Sequence, residues 1–497
     1  MRLRELLNDV EYELVQGDLN IEVSDIAYNS KNVKDGVAFL AMKGFRVDGH
    51  DYIDNAIENG AKCLIVQDDV KVSDDITVVK LEDTRTDLSK LSRTLFGYPD
   101  NEMTTIAITG TKGKTTISTM IKKILDDSGK PAGLIGTMGV FYKDKYYHTV
   151  NTSPESYDVF KYMREMLDND VKYLVMEVSS QSLKLNRWIN VMFDYAIFTN
   201  LSLDHVGEDE HESFEDYKYC KSKLFKQCKI GIFNIDSEYY EEMIEGTSCS
   251  KYTFGYSKDA NYIIDNVHNI MESGFVGIKM TTSGKVESKF RVSIPGKFTG
   301  YNAMAAISLC DILGISLDSI KKSLETVSVK GRMESIKISN RFSLLIDYAY
   351  QGIAMENVLS TMKEANPKRI VTVFGCGGNR SKQRRYDCGE VSGKYSDLSI
   401  LTADNPRYED NNEIIKDILV GMEKTDGKYV IVPDRRDAIR KSIVDSEDGD
   451  VILVLGKGHE DYQEINGVRH PFDERVVIKE IVDSLSDEEK KRLSIII

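Results

Sequence analysis

Seven consecutive residues, Gly110-Thr111-Lys112-Gly113-Lys114-Thr115-Thr116, restrict the fold of this chain more than any other stretch. The run TTIAI before them reads as a strand, and TTISTMIKKILDDSG from Thr115 reads as a helix. Ile117, Met120, Ile121, Ile124 and Leu125 keep the spacing of one helical face, and Gly129 stands as a C-cap. A glycine turn between strand and helix aims backbone N–H groups at an anion, and the helix N-terminus adds its positive pole. Lys114 is placed to reach β- and γ-phosphates, and Thr115 to offer a hydroxyl to Mg²⁺. The general nucleotide pattern sets four residues between its first glycine and the Gly-Lys pair. Ile108 stands at that first position here, so this loop is shorter. A glycine-rich turn before an ordinary helix is the competing reading.

The chain has 497 residues, too many for one core, so we expect two to four domains. Short strand-like runs (VAFLAM, CLIVQ, ITVVKL) precede FGYPDNEM, which reads as a connector. Strands follow at YLVMEV and YAIFTNL, and the middle region closes near Gly331-Arg332. Beyond it SLLIDYA, IVTVFGC, LSILTA, YVIVPD and VILVLG alternate with helical patterns. Such alternation predicts an α/β architecture with parallel sheets covered by helices. The expected domains are 1–100, 101–332 and 333–497.

Lys+Arg number 65 against 80 Asp+Glu, a net charge of −15. That balance is a poor one for nucleic acid or anionic membranes, so phosphates must be held by local geometry. Seven cysteines lie scattered with no Cys-x-x-Cys spacing, which argues against a zinc ribbon or a disulfide scaffold. No signal-peptide core is seen, and no apolar run nears the roughly 20 residues of a membrane span. A cytoplasmic protein without membrane insertion is expected.

Glu177 ends an apolar strand in EVSSQSLKLNR, where a carboxylate can hold Mg²⁺ or merely cap the strand. His211 follows TNLSLDHVGEDE, with Asp204 and His205 nearby, after the end of another strand. Lys221, alone, reads as a solvent-facing helical lysine. GCGGNR has Arg380 where a dinucleotide fingerprint needs a third glycine, so NAD binding is discounted. Arg380 and Arg407 can each hold a carboxylate by paired hydrogen bonds, and Glu460 can take an ammonium.

With GTKGKTT, this set of segments resembles the Mur ligases and their folylpolyglutamate synthase relatives. The resemblance covers nearly the whole chain. It implies a small α/β UDP-sugar-binding N-terminal domain, a central P-loop-type mononucleotide-binding ATPase domain and a Rossmann-like C-terminal domain. It also implies ATP and Mg²⁺. The glycine loop (Gly110, Thr111, Lys112, Gly113, Lys114, Thr115, Thr116) would bind ATP together with Asn302, Arg332 and Asp347. EVSS-x-x-L resembles the muramyl-tripeptide synthetase motif, with Ser179 and Arg187 toward the substrate. Ser30, Thr152 and Ser153 would contact its UDP-sugar part. Lys114, Glu177, His211 and Lys221 would be catalytic. Thr115, Glu177, His211 and a carbamylated Lys221 would hold metal. Arg380, Asp404, Asn405, Arg407, Gly456 and Glu460 would form the amino-acid site.

Asp404-Asn405-Pro406-Arg407 resembles the motif of members that add meso-diaminopimelate, whose second carboxylate suits an arginine. The expected reaction joins that amino acid to UDP-N-acetylmuramoyl-L-alanyl-D-glutamate through an acyl-phosphate. The partners would be the UDP-linked dipeptide and a free amino acid, and the protein a monomer. L-lysine or another amino acid is the alternative, since GEDEHESFEDY looks like the loop of lysine-adding members. The sequence also departs from the family. Tyr350 stands where histidine is usual, and Thr299 replaces the first asparagine of the family's G-x-F-N-x-x-N-x-x-A-A pattern, whose second, the adenine contact, is matched by Asn302. Those departures motivate a third reading, a nucleotide-binding paralogue that regulates a partner.

Overall fold

The computed structural model describes residues 1–496 except 45–46, 204–205, 208–209 and 273–274. Asp204 and His205 therefore lie outside the described residues. The chain forms two compact units, Met1–Asn261 with Ala305–Ile315, and Tyr262–Met304 with Ser316–Ile497.

The first unit holds two sheets. One contains β1 (Glu13–Gln16), β2 (Asp25–Ala27), β3 (Val37–Leu40), β4 (Cys63–Val66) and β5 (Thr77–Lys80), ordered β1-β5-β4-β3-β2. β2 to β5 run parallel, and β1 closes the edge antiparallel to β5. β3 and β4 are buried at every residue, which is why VAFL and CLIV are unbroken apolar runs rather than alternating ones.

The second sheet contains β6 (Thr104–Thr109), β7 (Ala132–Gly136), β8 (Gly139–Tyr142), β9 (Lys145–Tyr147), β10 (Tyr173–Glu177), β11 (Phe193–Phe198), β12 (Cys228–Asn234) and β13 (Ser250–Gly255). Within this unit their order is β13-β12-β11-β6-β10-β7-β8-β9. β6 is central, flanked by β10 and β11 in parallel register, with Ile108 beside both Glu177 and Ile197. The turns after β6, β7, β10 and β11 thus emerge at one carboxyl edge, where parallel sheets place ligand loops.

The helix Lys114–Asp127 buries Ile117, Met120, Ile121, Ile124 and Leu125, the face that the spacing predicts. Each such side chain contributes about 1.5–3 kcal/mol when buried. Gly129 follows the helix at φ +71, and Lys130 N–H donates back to Leu125 O, which stops it. Two reciprocal bonds tie the two sheet regions of this unit. Tyr28 donates to Asp158 and Tyr157 to Asp25, both at 2.8 Å.

The second unit opens with an antiparallel meander, β14 (Tyr262–Glu272), β15 (Phe275–Gly284) and β16 (Ser288–Val292). This meander stands outside the strands that the sequence pattern predicts. A six-stranded sheet follows, β17 (Glu334–Ser335), β18 (Ser343–Asp347), β19 (Arg369–Phe374), β20 (Leu398–Leu401), β21 (Tyr429–Ile431) and β22 (Asp450–Leu455). Its order is β17-β18-β22-β19-β20-β21, parallel apart from β17. A hairpin, β23 (Tyr462–Ile465) and β24 (Val468–Pro471), lies beyond it in sequence.

Under the carboxyl ends of β20 and β22 sits a fully buried ion pair, Arg435–Glu474, at 2.7 Å. Arg435 also donates to Ala403 O at 3.1 Å and Leu455 O at 2.8 Å, clamping the two strand ends together. All seven cysteines are buried and free of disulfides. Among the described residues no helix is long and apolar enough to cross a membrane.

Candidate functional site

In the first unit the glycine loop is locked by the turn after β11. Thr111 N–H donates to Asn200 O at 2.9 Å, and Lys112 N–H to Asn200 Oδ1 at 3.0 Å. Thr199 Oγ1 donates to Lys112 O at 2.7 Å. Gly110 has φ +148, and a Cβ there would lie 1.9 Å from Thr199 Oγ1. No other residue allows both that dihedral and that approach. Lys114 Nζ reaches back to Gly110 O (2.8 Å) and Thr111 O (3.1 Å). Thr116 is half-buried on the first helical turn.

Glu177 is wholly buried at the end of β10. Thr115 Oγ1 and Thr137 Oγ1 each donate to its Oε2 at 3.0 Å, and Thr137 N–H to Oε1 at 3.3 Å. Burial pushes its pKa up, while the Lys114 charge and these donors work against that rise. Carboxylate and hydroxyl oxygens converging at a helix N-terminus are the hard donor set that Mg²⁺ prefers, so these residues fit that ion.

His211 is 1 % exposed, with Nδ1 2.9 Å from Asp216 Oδ2 and Nε2 2.9 Å from Ser180 Oγ. Burial pulls its pKa down against the pull of Asp216. Burial would raise Asp216, but hydrogen bonds from Lys184, His211 and Cys220 outweigh it and hold the carboxyl well below its usual range. Cys220 lies close enough to complete a His-Asp-Cys cluster. Burial and Asp216 push its thiol up to about 11.

Lys221 corrects the solvent-facing reading. It is 1 % exposed, donates to Gly110 O at 3.0 Å and sits 4.6 Å from the centre of the Tyr217 ring. A small cavity of about 190 Å³ brings Lys114, His211 and Lys221 together with Ser179 and Ser180.

The segment expected to meet the UDP-linked substrate abuts this site. Thr152 Oγ1 lies 3.1 Å from Thr137 Oγ1, which bonds Glu177. Ser153 Oγ donates to Glu177 O at 2.9 Å and accepts Ser179 N–H at 3.0 Å. Arg187 donates to Ser153 O and to Glu155 Oε1, both at 2.6 Å. Ser30 is buried in the turn capped by Asn29. Among the described residues no hydrogen bond joins it to Thr152, Ser153, Ser179 or Arg187. Thr137, Glu155, Ser180 and Asp216 escaped the sequence reading. Ser180 and Glu155 stand inside the EVSS and NTSPE segments without a role assigned to them, while Thr137 and Asp216 reach the site through tertiary packing.

In the second unit a cavity of about 420 Å³ is lined by Arg380, Asp404, Asn405, Arg407, Gly456 and Glu460. The six residues proposed for the amino acid thus meet in one place. Glu460 accepts from Asn405 Nδ2 (2.9 Å), Lys457 Nζ (3.1 Å) and Tyr348 Oη (3.4 Å). Arg407 pairs with Glu464 at 3.3 Å and donates to Gly378 O at 2.8 Å. A Cβ on Gly378 would lie 1.8 Å from Pro406 O, so only glycine lets these two loops touch. Asp404 Oδ2 is buried and finds no hydrogen-bond partner among the described residues. Tyr348, Tyr350 and Arg384 also line the cavity and are additions to the sequence list.

The other residues expected around ATP also lie in this unit. Asn302 is half-buried on the helix Phe298–Ile312. Arg332 lies over the Tyr348 ring at 5.6 Å. Asp347 accepts Met333 N–H at 2.7 Å and steadies Met333 at φ +46 beside it. Burial lifts Asp347 to about 6.

A glycine loop of this geometry, between a central parallel strand and a helix with a buried acid on the next strand, defines a mononucleotide-binding α/β protein. Residues 22–93 match the Mur ligase family catalytic domain, 108–310 the Mur ligase middle domain, and 331–458 the Mur ligase glutamate ligase domain. The chain is 41 % identical over 483 residues to a protein of Caldanaerobacter subterraneus subsp. tengcongensis, covering 97 % of this chain and 99 % of that one. It is 39 % identical to one of Clostridium perfringens, covering 97 % and 100 %. Both are named UDP-N-acetylmuramoyl-L-alanyl-D-glutamate–2,6-diaminopimelate ligase. A solved structure of that name superposes with TM-score 0.75 at 24 % identity, covering 97 % and 99 % of the two chains. The MurF ligase of Thermotoga maritima in complex with ADP gives TM-score 0.56 at 19 % identity, covering 94 % and 98 %. The chain belongs to the Mur ligase family.

Proposed function

We propose that this protein is an ATP-dependent amide ligase that adds meso-diaminopimelate to UDP-N-acetylmuramoyl-L-alanyl-D-glutamate in peptidoglycan precursor synthesis. The observation that carries the reading is one hydrogen-bonded line, Thr115–Glu177–Thr137–Thr152, running from the glycine loop to the segment that resembles the family's UDP-sugar contact. The full-length relatives named for this reaction support the choice of substrates.

The loop N–H groups and Lys114 hold the triphosphate and neutralise charge that develops on the moving phosphoryl group. The terminal carboxylate of the dipeptide takes the γ-phosphoryl group, and ADP leaves. Arg187, Thr152 and Ser153 orient the UDP-linked substrate. The amine of diaminopimelate then attacks the acyl-phosphate, an amide forms, and phosphate and a proton depart. Thr115, Glu177 and His211, with Lys221 if it is carbamylated as in the family, would hold Mg²⁺, which when bound screens the phosphate charge. Asp404 and Glu460 suit the ammonium groups of diaminopimelate, and Arg380 and Arg407 its carboxylates.

The test is phosphate release by purified protein with ATP, Mg²⁺, UDP-linked dipeptide and one amino acid at a time. Release that needs meso-diaminopimelate, with the tripeptide seen by mass spectrometry, is the expected result. Preference for lysine would move the substrate, and no product with any amino acid would defeat the ligase reading.

A further inference from the structure

The cavity of the second unit carries more positive charge than the amino-acid residues carried over from the family account for. Three guanidinium groups line it, Arg380, Arg384 and Arg407, against the carboxylates Asp404 and Glu460. Glu460 is already answered by Lys457, and Arg407 by Glu464. Among the described residues no carboxylate lies within ion-pair distance of Arg384, and its side chain makes no hydrogen bond. Its ordered contact is with a ring. The guanidinium carbon sits 5.4 Å from the centre of Tyr350, which itself packs edge-on against Tyr348 at 4.9 Å. A guanidinium stacked on an aromatic face is oriented while its N–H edge remains open to fork onto a carboxylate. Arg384 also stands in the first turn of the helix Lys382–Tyr395, where the helix pole favours an anion.

Depth assigns the end of the ligand. Asp404, Asn405 and Gly456 are buried and form the floor. Tyr350 is 41 % exposed and Arg384 half-buried, so they form the rim. An amine that must meet an acyl-phosphate outside the cavity sits at the rim. We propose that Arg384, oriented by the Tyr350 ring, binds the carboxylate next to the reacting amine of the incoming amino acid. Tyr350 is then a positioning residue, and its replacement of the usual histidine is matched to Arg384. An imidazole is a weaker partner for a cation than a phenol ring and repels it when protonated. The floor carboxylates make the site unfit for a phosphate, which leaves a zwitterionic amino acid as the ligand class. This inference rests on the reading of the cavity as the amino-acid site.

Steady-state ligation by the full chain tests it, with Arg384→Ala, Arg384→Lys, Tyr350→Phe, Tyr350→Ala and the double alanine variant. Loss of a charge-assisted contact should raise the amino-acid KM of Arg384→Ala by about 10- to 100-fold and lower kcat, with the ATP KM unchanged. Lysine should restore part of this. Tyr350→Phe should keep an amino-acid KM lower than that of Tyr350→Ala because the ring, not the hydroxyl, meets Arg384. Tyr350→Ala should show a smaller loss that adds nothing to Arg384→Ala. An amino-acid KM and kcat within twofold of wild type in Arg384→Ala would overturn the proposal. A rise in KM alone, with kcat intact, would overturn the assignment to the reacting end. If wild type uses another amino acid, the substrate reading fails while the same variants still test Arg384 with that amino acid.

Discussion

The two sites of this molecule are held together by different means. In the first unit the glycine loop and Glu177 hydrogen-bond to uncharged groups, the carbonyl of Gly110, the hydroxyls of Thr115 and Thr137, and the amide of Asn200, while His211 and Arg187 beside them pair with Asp216 and Glu155. In the second unit the cavity is built on opposed charges, from Lys457–Glu460 and Arg407–Glu464 down to the buried Arg435–Glu474 pair. A hydrogen bond between a charged and a neutral group strands no second charge when it is lost. A site anchored on ion pairs is lost when one partner goes, because the other is left buried and unanswered.

That contrast can be broken at several points. The largest stability effect should come from Arg435→Met, which strands Glu474 and frees the ends of β20 and β22. We expect a loss of about 3–5 kcal/mol, read by denaturant unfolding, and recovery of most of it in Arg435→Met with Glu474→Leu. A loss under 1 kcal/mol would show that the pair is not a clamp. Lys114→Ala should behave in the opposite way. Activity should fall about 10²- to 10³-fold, some 3–4 kcal/mol of barrier, while the unfolding midpoint stays at the wild-type value.

Asp347 sharpens the comparison through pH. Its folded pKa of about 6 lies above the ordinary 3.8, so the folded state binds more protons between these values. Stability should therefore fall as pH rises from about 4 to 6, by at most about 3 kcal/mol, and this dependence should vanish in Asp347→Asn. Equal slopes for the two proteins would remove Asp347 from the account. The smallest effect is expected from Arg407→Lys. It keeps the charge but loses the fork shared between Glu464 and Gly378 O, so the amino-acid KM should rise about tenfold with little change in stability.

The contrast also explains what could be read beforehand. The strand, glycine turn and helix at 104–127 were legible because their chemistry is local: apolar spacing, left-handed glycines and a Gly-Lys pair within one segment. The residues of the second cavity were legible as motifs at strand ends, since Asp404 follows β20 and Gly456 follows β22. Thr137 was not, because its link between Thr152 and Glu177 depends on three separate turns meeting at one sheet edge. Lys221 looked like a surface lysine, as nothing in its helix shows that Gly110 O lies over it. Arg384 was passed over for a similar reason, for its meaning depends on a ring 34 residues earlier in the chain.

The seven buried thiols provide an independent clock for each unit. Cys228 and Cys249 lie in the core of the first, and Cys376 and Cys388 in the core of the second. A thiol-labelling reagent can reach them only when that core opens, so labelling rates, resolved by peptide, time the breathing of the two halves separately in the intact protein. Nucleotide should slow the first pair and amino acid the second, which turns ordinary alkylation chemistry into a reporter of which half each ligand steadies.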